Sequence, residues 1–198
     1  MNEVTEAFII KARSLLKEDC LPKIERCVER LSDSEVWWRA NPESNSIGNL
    51  LLHLAGNVRQ WIVSGVGRGK DSRVRQLEFD ERSLIPRAEL LAHLKRTLDE
   101  ADGVLAGLDP SVILEPREIQ GHNVTVLEAI FHVAEHFAMH TGQIILITKM
   151  LKAEDLGFYD FSSGAPVARW HEPKESGVYS LESGVRKTVV DSRLFRVS

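Results

Sequence analysis

Three histidines, His132, His136 and His140, recur at every fourth residue within one long apolar-periodic stretch. On a helix, side chains four positions apart are rotated by about 40° and separated by about 6 Å along the axis, so each neighbouring pair projects over one surface. Two imidazoles placed in this way can converge on one divalent ion, because zinc–nitrogen bonds are roughly 2.0–2.1 Å long. The outer two, His132 and His140, lie about 12 Å apart along the axis and cannot readily share an ion. The spacing therefore offers two alternatives, His132 with His136 or His136 with His140. Either pair needs a further ligand from another element.

His53 is the natural donor. It stands among Leu50, Leu51, Leu54 and Trp61, close to a core-facing stripe, where an imidazole needs a partner because burying it unpaired is costly. Two readings fit it, a metal ligand or a core histidine bonded to a nearby acceptor. Three neutral imidazoles leave at least one coordination position open, the pattern of a catalytic site; structural zinc sites are closed by four protein ligands. Such a metal could polarise a substrate or lower the pKa of a bound water or thiol. Asn57, one turn after His53, and Gln143, one turn after His140, are placed to support the ligands. Glu135 points about 100° away from His136 and reads as a solvated charge. Trp37, Trp38 and Trp61 read as packing aromatics. His93 and His122 read as surface histidines on a helix and in a loop, and His171 as exposed. No paired carboxylates, nucleophile elbow or phosphate loop stands out.

Four helical segments must position these residues. The first runs from about Thr5 to Leu31, with Pro22 predicting a kink or break near Asp19–Leu21, because proline lacks a backbone donor and clashes with the carbonyl four residues back. The second runs from about Ser46 to Gly65, capped by Asn45 or Ser46. The third opens near Pro86 and continues to about Leu108. The fourth runs from about Val126 to Leu151 and opens on Thr125 and Glu128, a capping-box pair. The stretches Gly65–Arg82 and Asp109–Asn123 read as long loops. Four amphipathic helices without a credible sheet predict an all-α four-helix bundle over residues 1–152. Residues 153–198 are then a loop-rich C-terminal extension, packed on the bundle or trailing from it, with Val178–Val197 able to hold a short strand or helix.

Bulk properties narrow the partners. The 198 residues carry 25 basic and 29 acidic side chains, a net charge of −4 with no long block of like charge. That leaves no electrostatic footprint for nucleic acid or an anionic membrane, though small anionic substrates remain compatible. The N-terminus has neither the basic region nor the apolar core of a signal peptide, and no apolar run approaches a bilayer span, so a cytoplasmic location is expected. Cys20 and Cys27 lie about 10 Å apart along one helix, too far for a disulfide, and read as buried thiols.

The stretch Asn45-Ser46-Ile47-Gly48-Asn49-Leu50-Leu51-Leu52-His53-Leu54-Ala55-Gly56-Asn57 resembles the second-helix motif of DinB-like proteins. The stretch His132-Val133-Ala134-Glu135-His136-Phe137-Ala138-Met139-His140-Thr141-Gly142-Gln143-Ile144 resembles their last-helix motif, His-x-x-x-His followed by a small residue, Gly and Gln. The resemblance spans roughly residues 5–152 and points to a branch of unknown function. It implies that His53, His136 and His140 are the metal ligands, leaving His132 as a neighbour one turn away. It also implies a divalent metal such as zinc or nickel, a small-molecule substrate and a homodimer. Some DinB-like relatives resemble transferases that activate a low-molecular-weight thiol, so a thiol S-transferase-like activity heads the expectations. A metal-dependent hydrolase and a non-catalytic, stress-related metal-binding bundle are the alternatives.

Overall fold

The computed structural model describes residues 2–171; the Val178–Val197 expectation lies outside the described residues. Four helical rods form the body. The first joins α1 (Asn2–Ser14), a wider π-helical stretch (Leu15–Cys20) and α2 (Leu21–Glu29). The second is α4 (Ile47–Val58), continued by a π-helical stretch (Arg59–Val66). The third is α6 (Arg87–Ala106) and the fourth α7 (Val126–Lys152). Rod two packs against α6 and α7, as does rod one, so the first two rods lie diagonally across the bundle. Ile24, Leu50, Leu54, Leu94, Leu98 and Phe137, at most 2 % exposed, fill the space between them.

Local chemistry sets the helix starts. The Ser46 hydroxyl accepts from Asn49 N–H at 3.2 Å while the Asn49 side chain reaches back to Ser46. Thr125 and Glu128 make the same reciprocal pair at the start of α7. Pro86 precedes α6. Two short helices lie in the connections, α3 (Asp33–Val36) between rods one and two and α5 (Arg75–Asp80) between rods two and three.

Three expectations need correcting. The first rod does not break before Pro22. The helix widens instead, so that Leu21 N–H bonds the Leu16 carbonyl five residues back, an adjustment that absorbs a local mismatch without ending the rod. Pro22 still cannot donate to the Glu18 carbonyl, and Trp170 supplies a donor there, its Nε1 lying 3.0 Å from that oxygen. Next, the connection 65–82 is not a plain loop, because it contains α5. That helix has no buried residue, and its apolar Leu77 is 66 % exposed, so it shows no periodic stripe. Finally, residues 109–123 hold a 3₁₀ turn (Pro110–Leu114) and β1 (Pro116–Ile119), which pairs antiparallel with β2 (His122–Thr125). Gln120 and Gly121, both at positive φ, form the two-residue turn that closes this ribbon.

After α7 the chain turns at Ala153, and β3 (Tyr159–Asp160) pairs with β4 (Val167–Ala168). Arg26 ties this segment to rod one, donating to the carbonyls of Gly157 and Arg169 at 2.6 Å each. No helix among the described residues is long and apolar enough to cross a membrane. Cys20 and Cys27 are buried and free.

Candidate metal centre

His53 sits mid-α4 and is 4 % exposed; across the bundle, His140 of α7 is 9 % exposed and His136 is half-buried. Their Nε2 atoms face one another. His53 Nε2 is 3.0 Å and His140 Nε2 is 3.2 Å from His136 Nε2. One ligand atom from each histidine lies within 4.8 Å of the others. Three nitrogens bound tetrahedrally to one zinc ion would be roughly 3.4 Å apart, so the cluster has the right size.

The far nitrogens decide which way the lone pairs point. His53 Nδ1 lies 2.8 Å from Glu78 Oε2. Arg73 Nη2, a donor, also lies 3.1 Å from this nitrogen, but it donates at 2.8 Å to Glu78 Oε2; the shorter His53 contact is to the carboxylate, which only accepts, and this favours the proton on Nδ1 and a lone pair on Nε2. His140 Nδ1 lies 2.7 Å from the amide oxygen of Gln143, an acceptor, and so carries its proton there. His136 then has one proton for two unsuitable places. On Nε2 it satisfies only one of the two facing lone pairs. On Nδ1 it has no acceptor, because that buried atom lacks any hydrogen-bond partner. Hydrogen bonds alone therefore leave one of the two facing lone pairs unanswered, whereas a cation would take the lone pairs of all three Nε2 atoms, with the His136 proton on Nδ1. These residues fit a divalent metal, and imidazole donors suit zinc, nickel, iron or copper alike.

Electrostatics favours neutral rings. Burial, followed by the neighbouring His140, His53, His132 and Arg73, pushes the His136 pKa down to about 3. Burial is also the main cause lowering His140, against the opposing bond to Gln143. Burial alone would raise Glu78, but hydrogen bonds from Arg73 and His53 outweigh it and hold the carboxyl below its usual range.

Glu78 and Arg73 are the functional residues that helical periodicity missed. Arg73 donates from Nε and Nη2 to the two Glu78 oxygens at 2.7 and 2.8 Å. Its Nη1 donates to Gln60 Oε1 at 2.9 Å, and Gln60 in turn reaches Asp71. Asn49 fixes α5 from below by donating to the Glu78 carbonyl at 2.8 Å. Gly56 makes the approach sterically feasible: a Cβ there would fall inside the Glu78 carboxylate and 2.9 Å from Arg73 Nε. Phe79 packs against the His53 ring at 4.7 Å. The only sequence signal for these residues is the charged Arg73–Glu78 run in a connection reaching over the second helix.

His132 lies outside the triad. Its ring packs at a tilt against Trp61, with centroids 4.1 Å apart, and its Nε2 is 3.2 Å from Asn57 Nδ2. Asn57 thus contacts His132, whereas Gln143 contacts His140. Glu135 and His122 are exposed. His93 departs from its reading as a surface histidine: it is half-buried and lines a cleft between α4, α5 and α6. His171 is exposed.

A family model described as a protein of unknown function (DUF1572) matches residues 3–164, and the chain belongs to that family. No curated protein matches it.

Proposed function

We propose that this member of the DUF1572 family is a metal-dependent enzyme of the DinB-like type, with one divalent ion held by His53, His136 and His140. The observation that carries the reading is the direction of the lone pairs: Glu78 and Gln143 hold the outer protons of His53 and His140, so both inner nitrogens face His136. A bound divalent cation would supply Lewis acidity at the coordination position left free by three protein ligands. The chain's own residues prepare that position. Glu78 sets the tautomer and plane of His53, Phe79 packs its ring, and Gln143 orients His140. Arg73 keeps Glu78 ionised, so the His53 proton stays on the outer nitrogen.

The reaction we assign is thiol transfer: an ion held by His53, His136 and His140 would supply the Lewis acidity that lowers the pKa of a low-molecular-weight thiol, whose proton is lost to solvent and whose sulfur would bond the electrophilic carbon as the leaving group departs with its electron pair. Support comes from the resemblance of the His53 and His136–His140 motifs to those of DinB-like proteins, some of which resemble thiol transferases, together with the three-ligand donor set. Metal analysis of full-length protein made without a histidine tag, followed by a thiol panel with a chromogenic electrophile, tests the reading. About one zinc or nickel per chain and thiol-dependent turnover are expected. Absence of stoichiometric metal would sink the metal claim. Metal without turnover for any thiol would sink the transferase claim alone.

A further inference from the structure

Between Phe131 and Met150, α7 is apolar on two opposite sides. Phe137 and Ile144 are fully buried on the inner side. On the outer side Phe131, Met139, Leu146 and Met150 are 53–61 % exposed, with Ala138 and Gly142 exposed between them. At about 100° per residue these six fall within an arc of about 120°, centred opposite Phe137 and Ile144. A helix apolar all round belongs inside a structure, and an exposed apolar strip of this kind marks an interaction site. Setting the histidines aside, only Glu135 and Lys149 can be charged in this stretch, and they stand seven residues to either side of Gly142, on the same arc. Both are exposed, and among the described residues neither is in an ion pair.

We infer that this face pairs with the same face of a second copy of the chain, the two α7 helices running antiparallel about a two-fold axis at Gly142. Under that symmetry a residue before Gly142 meets the residue equally far after it in the second copy, so Glu135 faces Lys149 and Lys149 faces Glu135. A parallel pairing would instead set Glu135 against Glu135 and Lys149 against Lys149. The charge pattern thus maps onto itself with its signs exchanged, which a contact between identical faces requires and an unrelated partner has no reason to match. In the same register Ala138 meets Leu146, and with Gly142 at the middle the two axes can approach to about 8 Å, the short end of the helix-packing range. The strip is about 30 Å long and one helix wide, so the buried area is at the low end for a specific contact and association is micromolar.

Sedimentation equilibrium of the full chain, from about 1 to 200 µM, tests the pairing. A reversible monomer–dimer equilibrium with Kd between about 1 and 100 µM is expected. Leu146→Asp and, independently, Met150→Asp bring a charge into the paired face from exposed positions. Each should raise Kd by at least about tenfold with an unchanged circular dichroism spectrum. Lys149→Glu sets like charges together at two places related by the two-fold axis, and at low salt should raise Kd by about tenfold. Adding Glu135→Lys restores opposite signs at both places and should return Kd to within about threefold of the wild type. A chain that stays monomeric throughout the range would overturn the pairing. A dimer indifferent to both aspartate variants would place the contact on another face and overturn it equally. A double variant no tighter than Lys149→Glu alone would rule out the antiparallel register.

Discussion

Glu78 Oε2 stands 2.8 Å from Nδ1 of His53, on the opposite side of the ring from His136 and His140. A carboxylate in this position makes the imidazole a better donor and fixes its plane, and loss of such a partner typically costs about 10–100-fold in metal affinity. Glu78→Gln keeps the shape and removes the charge. Competition against a chromophoric chelator should show zinc affinity falling within that range, with an unchanged circular dichroism spectrum. Unchanged affinity would mean that Glu78 does not act through His53.

Gly56 and Gly142 should respond oppositely to alanine. At Gly56 a methyl group would collide with Glu78 and Arg73, which are held by several further bonds. Overpacking of this kind costs about 1–3 kcal/mol, and the displaced carboxylate should reproduce the affinity loss of Glu78→Gln. At Gly142 a methyl group meets nothing within 4 Å on an exposed face of α7, so Gly142→Ala should stabilise by up to about 1 kcal/mol. Chemical denaturation of both variants checks the pair; a stabilised Gly56→Ala would contradict the packing described.

His136 and His132 are one turn apart and should behave differently. His136→Ala should abolish stoichiometric metal while leaving the bundle folded, since the core around Phe137 and Leu54 does not pass through the triad. His132→Ala should keep the metal, because that ring contacts Trp61 and Asn57 instead. Elemental analysis of both purified variants decides it, and the reverse pattern would reassign the ligand pair.

Glu35 joins the short α3 to the end of α7, accepting from Lys152 Nζ at 2.7 and 2.8 Å. That bond, followed by those from Ser32, lowers its pKa from 4.5 to about 2. A carboxyl depressed in the folded state contributes stability that is fully present above the unfolded value and lost as pH falls through the folded one. Glu35→Gln retains the N-terminal cap but not the charge. The wild type should therefore exceed this variant in urea midpoint above pH 4.5, and the gap should close as pH approaches 2. A gap that persists at pH 2 would argue against the ion pair.

Trp170 reaches across to the carbonyl that Pro22 leaves without its helical donor. Trp170→Phe retains the ring over which Lys23 Nζ sits at 3.9 Å and removes only the N–H. A loss of about 0.5–1.5 kcal/mol in unfolding free energy is expected. An equal loss from Trp170→Phe in a Pro22→Ala background would show that the two residues are not coupled.

The sequence alone determined what lies within a turn or two of itself. The 3.6-residue periodicity marked the four rods. The Ser46–Asn49 start had a visible cap and the Thr125–Glu128 start a visible capping box, because each bond closes over three residues. The same locality explains the errors. The kink or break expected near Asp19–Leu21 followed from Pro22 considered in isolation; the rod does not break there but widens, and Trp170 answers the carbonyl from a distant segment. Residues Arg75–Asp80 carried no stripe because α5 buries nothing, and so Glu78 and Arg73 stayed hidden. At the histidines the division is sharpest. Spacing left His132/His136 and His136/His140 equivalent, and a family resemblance chose between them. The tertiary structure separates them by packing: α4 sets His53 opposite His136 and His140, while Trp61, two turns on, takes the face of His132. Helical repeat fixes which side chains share a face, but only the docking of a second helix fixes which of them it meets.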